Sequence, residues 1–204
     1  MKGHFFRVAL GAGLAAVLAW PTLAGTTTYS IDPKHSFAQF GVTHLMISTV
    51  RGEFHGVNGT VVVDDSDIAK SSVQVTIDAT TVDTREPDRD KHLKSPDFFD
   101  VAKYPTITFN STKVENAGNG KLKVTGDLTI RGVTKTVVLE VSNPKAPIKD
   151  PWGLQRTAVS GTTKLNRQDF GVAWNKTLDA GGVVVSDNVD ITLDIEMIVP
   201  PPAK

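Results

Sequence analysis

The sequence predicts an all-β protein with antiparallel strands. Stretches such as residues 121–131 and 189–199 alternate apolar with polar side chains, and this period of two is typical of a strand with one buried and one solvated face. Such strands usually belong to antiparallel sheets. About eight or nine of them can be traced between turns that contain Gly, Asn or Asp. A sheet of that size curls, splits in two or closes on itself.

The first 24 residues are predicted to be a cleaved secretory signal peptide. Lys2 and Arg7 give a positively charged start, and Val8 to Trp20 form an apolar run of 13 residues, too short to span a bilayer. Small residues at Thr22 and Ala24 predict cleavage after Ala24. We therefore expect a periplasmic domain of residues 25–204. Removal of the leader takes away two basic and no acidic residues, which leaves a net charge of −2.

Composition excludes several classes of function. A nearly neutral chain lacks the basic surface that a nucleic-acid partner requires. The chain has no cysteine, which rules out disulfides, zinc–cysteine sites, iron–sulfur clusters and a lipid-anchored cysteine. The histidines show no helical metal-binding spacing, so no metal site is expected. Stability must come from a hydrophobic core, which a single domain of this length can bury.

The alternating segments lie at residues 27–31, 36–44, 52–64, 73–80, 106–115, 121–131, 133–142, 157–165 and 189–199. Residues 84–104 interrupt this pattern. Within them Ser95 and Pro96 form a helix-start signal, with Ser as the N-cap and Pro at the first helical position. One or two short helices are therefore expected to bridge two strands.

Four ordered blocks stand at residues 44–54, 89–111, 128–135 and 165–171, and read HLMISTVRGEF, RDKHLKSPDFFDVAKYPTITFNS, LTIRGVTK and LNRQDFG. Together they resemble the YceI-like family of bacterial exported proteins. The resemblance runs from about Tyr29 to Val199 and implies an eight-stranded, antiparallel, lipocalin-like barrel. It also implies a pocket for a long apolar chain, such as a polyisoprenoid or the tail of a polyprenyl quinone. A barrel of eight strands has an interior that side chains fill or that holds one small ligand.

An apolar pocket would be lined by the inward faces of the strands, by the predicted helical segment and by a late loop. The candidate lining residues are Phe40, Val42, Val75, Ile77, Leu93, Phe98, Phe99, Ile107, Phe109, Leu128, Ile130, Phe170 and Trp174. The alternative is that they only fill a core, which is the usual role of buried aliphatic and aromatic residues. Small inward positions, among them Ala38, Val42 and Gly126, favour a void in the barrel.

Polar candidates for the pocket mouth are His44, Arg51 and His92. Structural hydrogen bonding is the simpler explanation for both histidines. Four arginines lie in the family-like blocks. Arg51 is near Glu53, Arg89 is near Asp90 and Arg167 is near Asp169, and the fourth is Arg131. Each arginine is expected either to lock a loop by pairing with a carboxylate or to contact a quinone or pyrophosphate headgroup.

The leading hypothesis is a binding protein that holds an isoprenoid-type lipid for storage or transport. An alternative is a non-catalytic accessory protein of a membrane electron-transfer partner or of a stress response, without bound lipid. An enzyme is disfavoured, because no Gly-x-Ser-x-Gly elbow or convincing catalytic triad is found. The expected partner is the lipid, with transient contact to a membrane or membrane protein and an open question of homodimerisation. No catalytic cofactor is expected.

Overall fold

The described part of the chain folds into a closed antiparallel β-barrel, which confirms the predicted fold class. The computed structural model describes residues 25–179 and 181–201, and the predicted signal peptide lies outside them. Within these residues, no helix is both long and apolar enough to cross a membrane.

The described residues form eleven strands and one α-helix. The strands are β1 (Thr26–Ile31), β2 (Phe37–His44), β3 (Ser48–Phe54), β4 (Val57–Asp64), β5 (Ser72–Asp78), β6 (Thr106–Gly118), β7 (Lys121–Ile130), β8 (Val133–Ser142), β9 (Ile148–Lys149), β10 (Gln155–Asn166) and β11 (Val185–Ile198). The helix α1 is Pro87–Lys94, and short 3-10 turns stand at Ile68–Lys70, Ala79–Thr81 and Arg167–Phe170.

Eight strands close the ring in the order β11, β1, β4, β5, β6, β7, β8 and β10, and β10 pairs with β11 to complete it. The long strand β11 uses one edge twice. Its residues Val185 to Asp194 pair with β2, and Met197 and Ile198 pair with β1. The β2–β3 hairpin therefore extends the wall beside the ring, and the lipocalin-like barrel predicted from the resemblance is confirmed.

Two sequence predictions about element boundaries are wrong. Residues 52–64 do not form one strand, because Gly56 adopts a left-handed φ of 65° and separates β3 from β4. The helix does not start at Ser95 and Pro96. It starts at Pro87, because the Glu86 side chain accepts hydrogen bonds from the N–H groups of Asp88 and Arg89. Ser95 instead ends the helix, where its N–H donates to the His92 carbonyl.

The strand directions sort the connections into two ends of the barrel. One end carries residues 45–47, 79–105, 131–132, 167–179 and 181–184, and we call it the loop end. The other end carries the connections at 65–71, 119–120 and 143–154. Residues 32–36 join β1 to β2, which follow one another in the same direction along one edge of β11. Four buried side chains lie toward this opposite end and line the interior: Ile31, Val114, Leu122 and Met197.

Candidate functional site

The barrel encloses an apolar cavity of about 450 Å³. That volume is within the range of small-molecule binding sites. The cavity exists because the alternating pattern turns Val, Ile, Leu and Phe inward from the ring strands and from β2 and β3. Its wall is almost wholly apolar, so it favours a ligand without charge.

The structure places all thirteen predicted apolar residues on the cavity wall: Phe40, Val42, Val75, Ile77, Leu93, Phe98, Phe99, Ile107, Phe109, Leu128, Ile130, Phe170 and Trp174. The strands supply eight of them, α1 and the following turn supply Leu93, Phe98 and Phe99, and the segment after β10 supplies the remaining two. Their contact with a ligand stays a prediction.

Of the three small residues that favoured a void, Ala38 and Val42 line the cavity but Gly126 does not. A Cβ on Gly126 would stand 2.5 Å from Cζ of Phe109, so the phenylalanine ring already fills the space over that glycine. The Phe40 ring covers Gly52 in the same way. Gly161 on β10 is different, because a Cβ there would meet Val141 and Leu193 at ordinary contact distances of 3.4 and 3.5 Å. A methyl group therefore fits at Gly161, which lines the cavity and which sequence reasoning missed.

Three rings pack together where the helical segment meets the segment after β10. The centroid of the His92 ring lies 4.9 Å from that of Phe98 and 5.1 Å from that of Trp174, and the Phe98 and Trp174 centroids are 5.3 Å apart. His92 Nε2 is also 2.8 Å from Asp97 Oδ2. Since all three rings line the cavity, this cluster forms part of its wall at the loop end.

Arg167 holds the segment after β10 against the start of β11. It is buried, and its guanidinium donates to the carbonyls of Val172 (2.6 Å), Trp174 (2.9 Å) and Ser186 (2.9 Å). Burial lowers the pKa of Arg167, and the charge of Asp187 opposes that shift. Pairing with Asp169 was expected, but the carboxylate that Arg167 contacts is Asp187, at 3.4 Å.

Arg89 and Arg131 also bind backbone carbonyls. Arg89 donates to the hydroxyl and carbonyl oxygens of Thr84 at 2.7 and 2.9 Å. Arg131 reaches across the loop end and donates to the carbonyls of Gly171 (2.6 Å) and Pro96 (2.7 Å). The expectation that arginines lock loops describes these contacts, although carbonyl oxygens replace the expected carboxylates.

Of the three polar residues predicted at the mouth, two line the cavity and one does not. His44 is half-buried at the end of β2, pairs with Val185 of β11 and lines the cavity. His92 lines the cavity in the ring cluster. Arg51 is exposed on β3, whose neighbouring residue Val50 is the one that faces the cavity. Arg51 therefore lies on the outer surface, because adjacent strand residues point to opposite faces.

A charged cluster at the opposite end was not foreseen. Arg156 Nη1 lies 2.7 Å from Asp32 Oδ2 and 2.6 Å from Glu196 Oε1, and its Nε lies 2.6 Å from Asp150 Oδ2. Burial raises the pKa of Asp32, but hydrogen bonds from Arg156 and His35 outweigh it and lower the pKa to about 2. The cluster ties the ends of β1, β10 and β11 together, away from the loop end.

Comparisons with known proteins agree with this architecture. The model of the YceI-like domain family matches residues 29–197. A UPF0312 protein of Vibrio cholerae is 43% identical over 168 residues, which are 81% of this chain and 88% of that protein. The crystal structure of Burkholderia cenocepacia BcnA has a TM-score of 0.71 and 26% identity, and the match covers 81% of this chain and 98% of that chain.

A more distant structure shares the fold. It is a polyisoprenoid binding domain from Saccharophagus degradans, implicated in plant cell wall breakdown, with a TM-score of 0.62 and 17% identity. The match covers 85% of this chain and 99% of that domain.

Proposed function

The chain belongs to the YceI-like family, and from this premise we propose that it binds a long isoprenoid-type lipid in its barrel for storage or transport in the periplasm. The ligand would be a polyisoprenoid or the tail of a polyprenyl quinone. The observation that carries the proposal is the cavity of about 450 Å³ with an almost wholly apolar wall. The ligand class also agrees with the polyisoprenoid-binding domain of the same fold.

The loop end is the proposed entrance. Residues of the loop-end segments form part of the cavity wall, among them Leu93, Phe98 and Trp174. At the loop end the half-buried His44 joins the wall. A polar headgroup at this place can keep contact with water and with His44 Nδ1 or Nε2 while its apolar tail occupies the barrel.

Energetics favour a reversible carrier. Removing a five-carbon isoprene unit from water is worth about 4 kcal/mol at ~0.8 kcal/mol per carbon, so a long chain would gain more than any observed binding energy if water were its starting point. Such a lipid starts in a membrane, where its tail is already out of water. The cavity therefore has only to match the bilayer, and transfer between the two is close to neutral.

The hydrogen bonds on the cavity wall favour binding over catalysis. Arg89 and Arg167 are engaged with Thr84 and with backbone carbonyls, and His92 is engaged with Asp97. These contacts hold the loop end in place, which gives the three side chains a structural role. We therefore treat the protein as a binding protein.

Organic extraction of protein purified from the periplasm, followed by mass spectrometry, tests the ligand. A co-purifying prenyl lipid is the expected result. With delipidated protein, octaprenol should bind much more tightly than geraniol, because affinity grows with the number of buried carbons. Equal binding of the two alcohols would contradict the proposal, and protein that is empty and binds neither would favour the accessory role without lipid. N-terminal sequencing of the periplasmic protein should start at Gly25.

A further inference from the structure

The turn between β2 and β3 exposes three consecutive apolar side chains. Leu45, Met46 and Ile47 retain 36%, 59% and 83% of their accessible surface. We call these three residues the apolar tip. Scattered apolar residues on a surface are ordinary, but three together on a protruding turn increase the apolar area in contact with water.

The backbone of the turn also disfavours these residues. Ile47 N–H donates to the His44 carbonyl at 3.1 Å, and the two residues between them have φ values of 52° and 63°. Positive φ at both central positions defines a type I′ turn, for which Asn-Gly is the favoured pair. Leu45 and Met46 have bulky side chains and are strained in this conformation.

Two other hairpins of the barrel show the usual solution. The β6–β7 turn has Asn119 and Gly120 at positive φ, and the β7–β8 turn has Arg131 and Gly132 at positive φ. Both turns have glycine at the second central position, where a positive φ would strain a residue with a side chain. The β2–β3 turn instead combines strain with apolar exposure, so its residues are not explained by the stability of the isolated fold.

The apolar tip stands beside the proposed entrance. His44, directly before it, lines the cavity, and the Leu45 N–H donates to the carbonyl of Val184, another wall residue, at 2.9 Å. Met46 Cγ lies 3.3 Å from the place that a Cβ on Gly182 would occupy. The tip is thus in contact with Gly182 and Val184 at the end of the barrel where the lipid would enter.

We propose that the apolar tip inserts into the surface of a lipid bilayer and sets the entrance of the cavity against the membrane. This inference rests on the proposed function, since a bilayer is the place where an isoprenoid lipid is collected and delivered. One turn with three side chains is much smaller than a stable protein–protein interface, which buries about 1,000 Å² or more. A bilayer needs no complementary shape, and flexible aliphatic side chains dissolve in its interfacial region.

Vesicle binding tests the proposal, with protein purified from the periplasm and vesicles of phosphatidylethanolamine and phosphatidylglycerol. In the double variant L45N/M46G, the partition coefficient should fall about tenfold or more, because two apolar side chains are lost from the inserted surface. The same variant has the favoured I′ pair, so its melting temperature should equal or exceed that of the wild type. Loss of binding then cannot come from misfolding.

Trp152 provides the matched control. It is 81% exposed and lies in the 143–154 connection at the opposite end. W152S should leave vesicle binding unchanged. If W152S abolishes binding while L45N/M46G retains it, or if both variants bind like the wild type, the proposed orientation is wrong.

Two further measurements separate this inference from the proposed function. Octaprenol binding in solution should be the same in L45N/M46G as in the wild type, whereas octaprenol transfer from vesicles should slow by the same factor as vesicle binding. If wild-type protein binds vesicles but no prenol, the proposed function fails and the docking surface stands. If L45N/M46G instead converts a dimer into a monomer without a change in vesicle binding, the tip contacts a second copy, and the bilayer proposal is overturned.

Discussion

Filling the cavity at Gly161 should weaken lipid binding without unfolding the barrel. Gly161 is buried on β10, lines the cavity and has no left-handed φ, so a side chain there can project inward. Val141 and Leu193 stand at ordinary contact distance from the new Cβ. The substitution Gly161→Phe therefore places a ring in the space that the ligand tail would use.

The expected loss of binding free energy follows from the number of ligand carbons that the new side chain displaces. The phenylalanine side chain adds seven carbons, and at ~0.8 kcal/mol per displaced ligand carbon the largest loss is ~5–6 kcal/mol. A flexible tail that shifts along the cavity recovers much of this, so we expect affinity for octaprenol to fall at least about tenfold, or about 1.4 kcal/mol. Gly161→Ala adds one carbon and should change affinity by less than about fourfold.

The assay measures the affinity for octaprenol by its displacement of a fluorescent prenol. Because the lipid starts from the same environment with every variant, that environment does not affect the difference in affinity between variants. The control is Val138→Phe, since Val138 is 46% exposed and outside the cavity. Thermal unfolding must show that each variant is folded at the assay temperature, because overpacking destabilises a core by about 1–3 kcal/mol. Folded Gly161→Phe protein with wild-type affinity would refute the barrel interior as the binding site.

Two other predictions follow from the wall and from the charged cluster. Octaprenol should change the fluorescence of wild-type protein and of W152F but not of W174F, because Trp174 lines the cavity and Trp152 is exposed; a response that survives in W174F contradicts this. The pKa of Asp32 is lowered from 3.8 to about 2, so this carboxylate stabilises the fold above pH 4 by on the order of 2 kcal/mol, and this contribution is lost as the pH falls through 2. Arg156→Met should remove it, so that the difference in urea stability from the wild type is large at pH 7 and narrows toward pH 2. The exposed pair of Lys164 and Asp190 supplies the control Lys164→Met, which should change little at either pH, and a difference for Arg156→Met that is independent of pH would contradict the assignment.

Much of the wall was predictable because alternation is a local signal. A strand such as β7 shows its inward face in its own sequence, since Leu122, Val124, Leu128 and Ile130 recur at even spacing. The start of the helix was not predictable by the same means. Both Glu86-Pro87 and Ser95-Pro96 place a capping side chain before a proline, and the structure alone shows which of them begins α1.

Whether a small residue adjoins the cavity depends on long-range register. Gly126 and Gly161 look equivalent in the sequence, but the Phe109 ring from β6 covers Gly126 and no ring covers Gly161. The partners of the arginines are equally hard to predict from the sequence. Arg167 is separated along the chain from Ser186 and Val185, and its partners are carbonyl oxygens, which carry no residue-specific signal. Contacts of this kind become visible only after the chain is folded.

The carbonyl contacts of Arg131 have a practical consequence. This side chain links Pro96 to Gly171, whereas small secreted proteins often link such loops by disulfide bonds. The chain contains no cysteine. The native state therefore forms without an oxidant or a disulfide isomerase and is indifferent to reductants. It follows that one cysteine introduced at Ile47 would be the sole thiol of the molecule, and a polarity-sensitive dye attached there would report directly on the surroundings of that position.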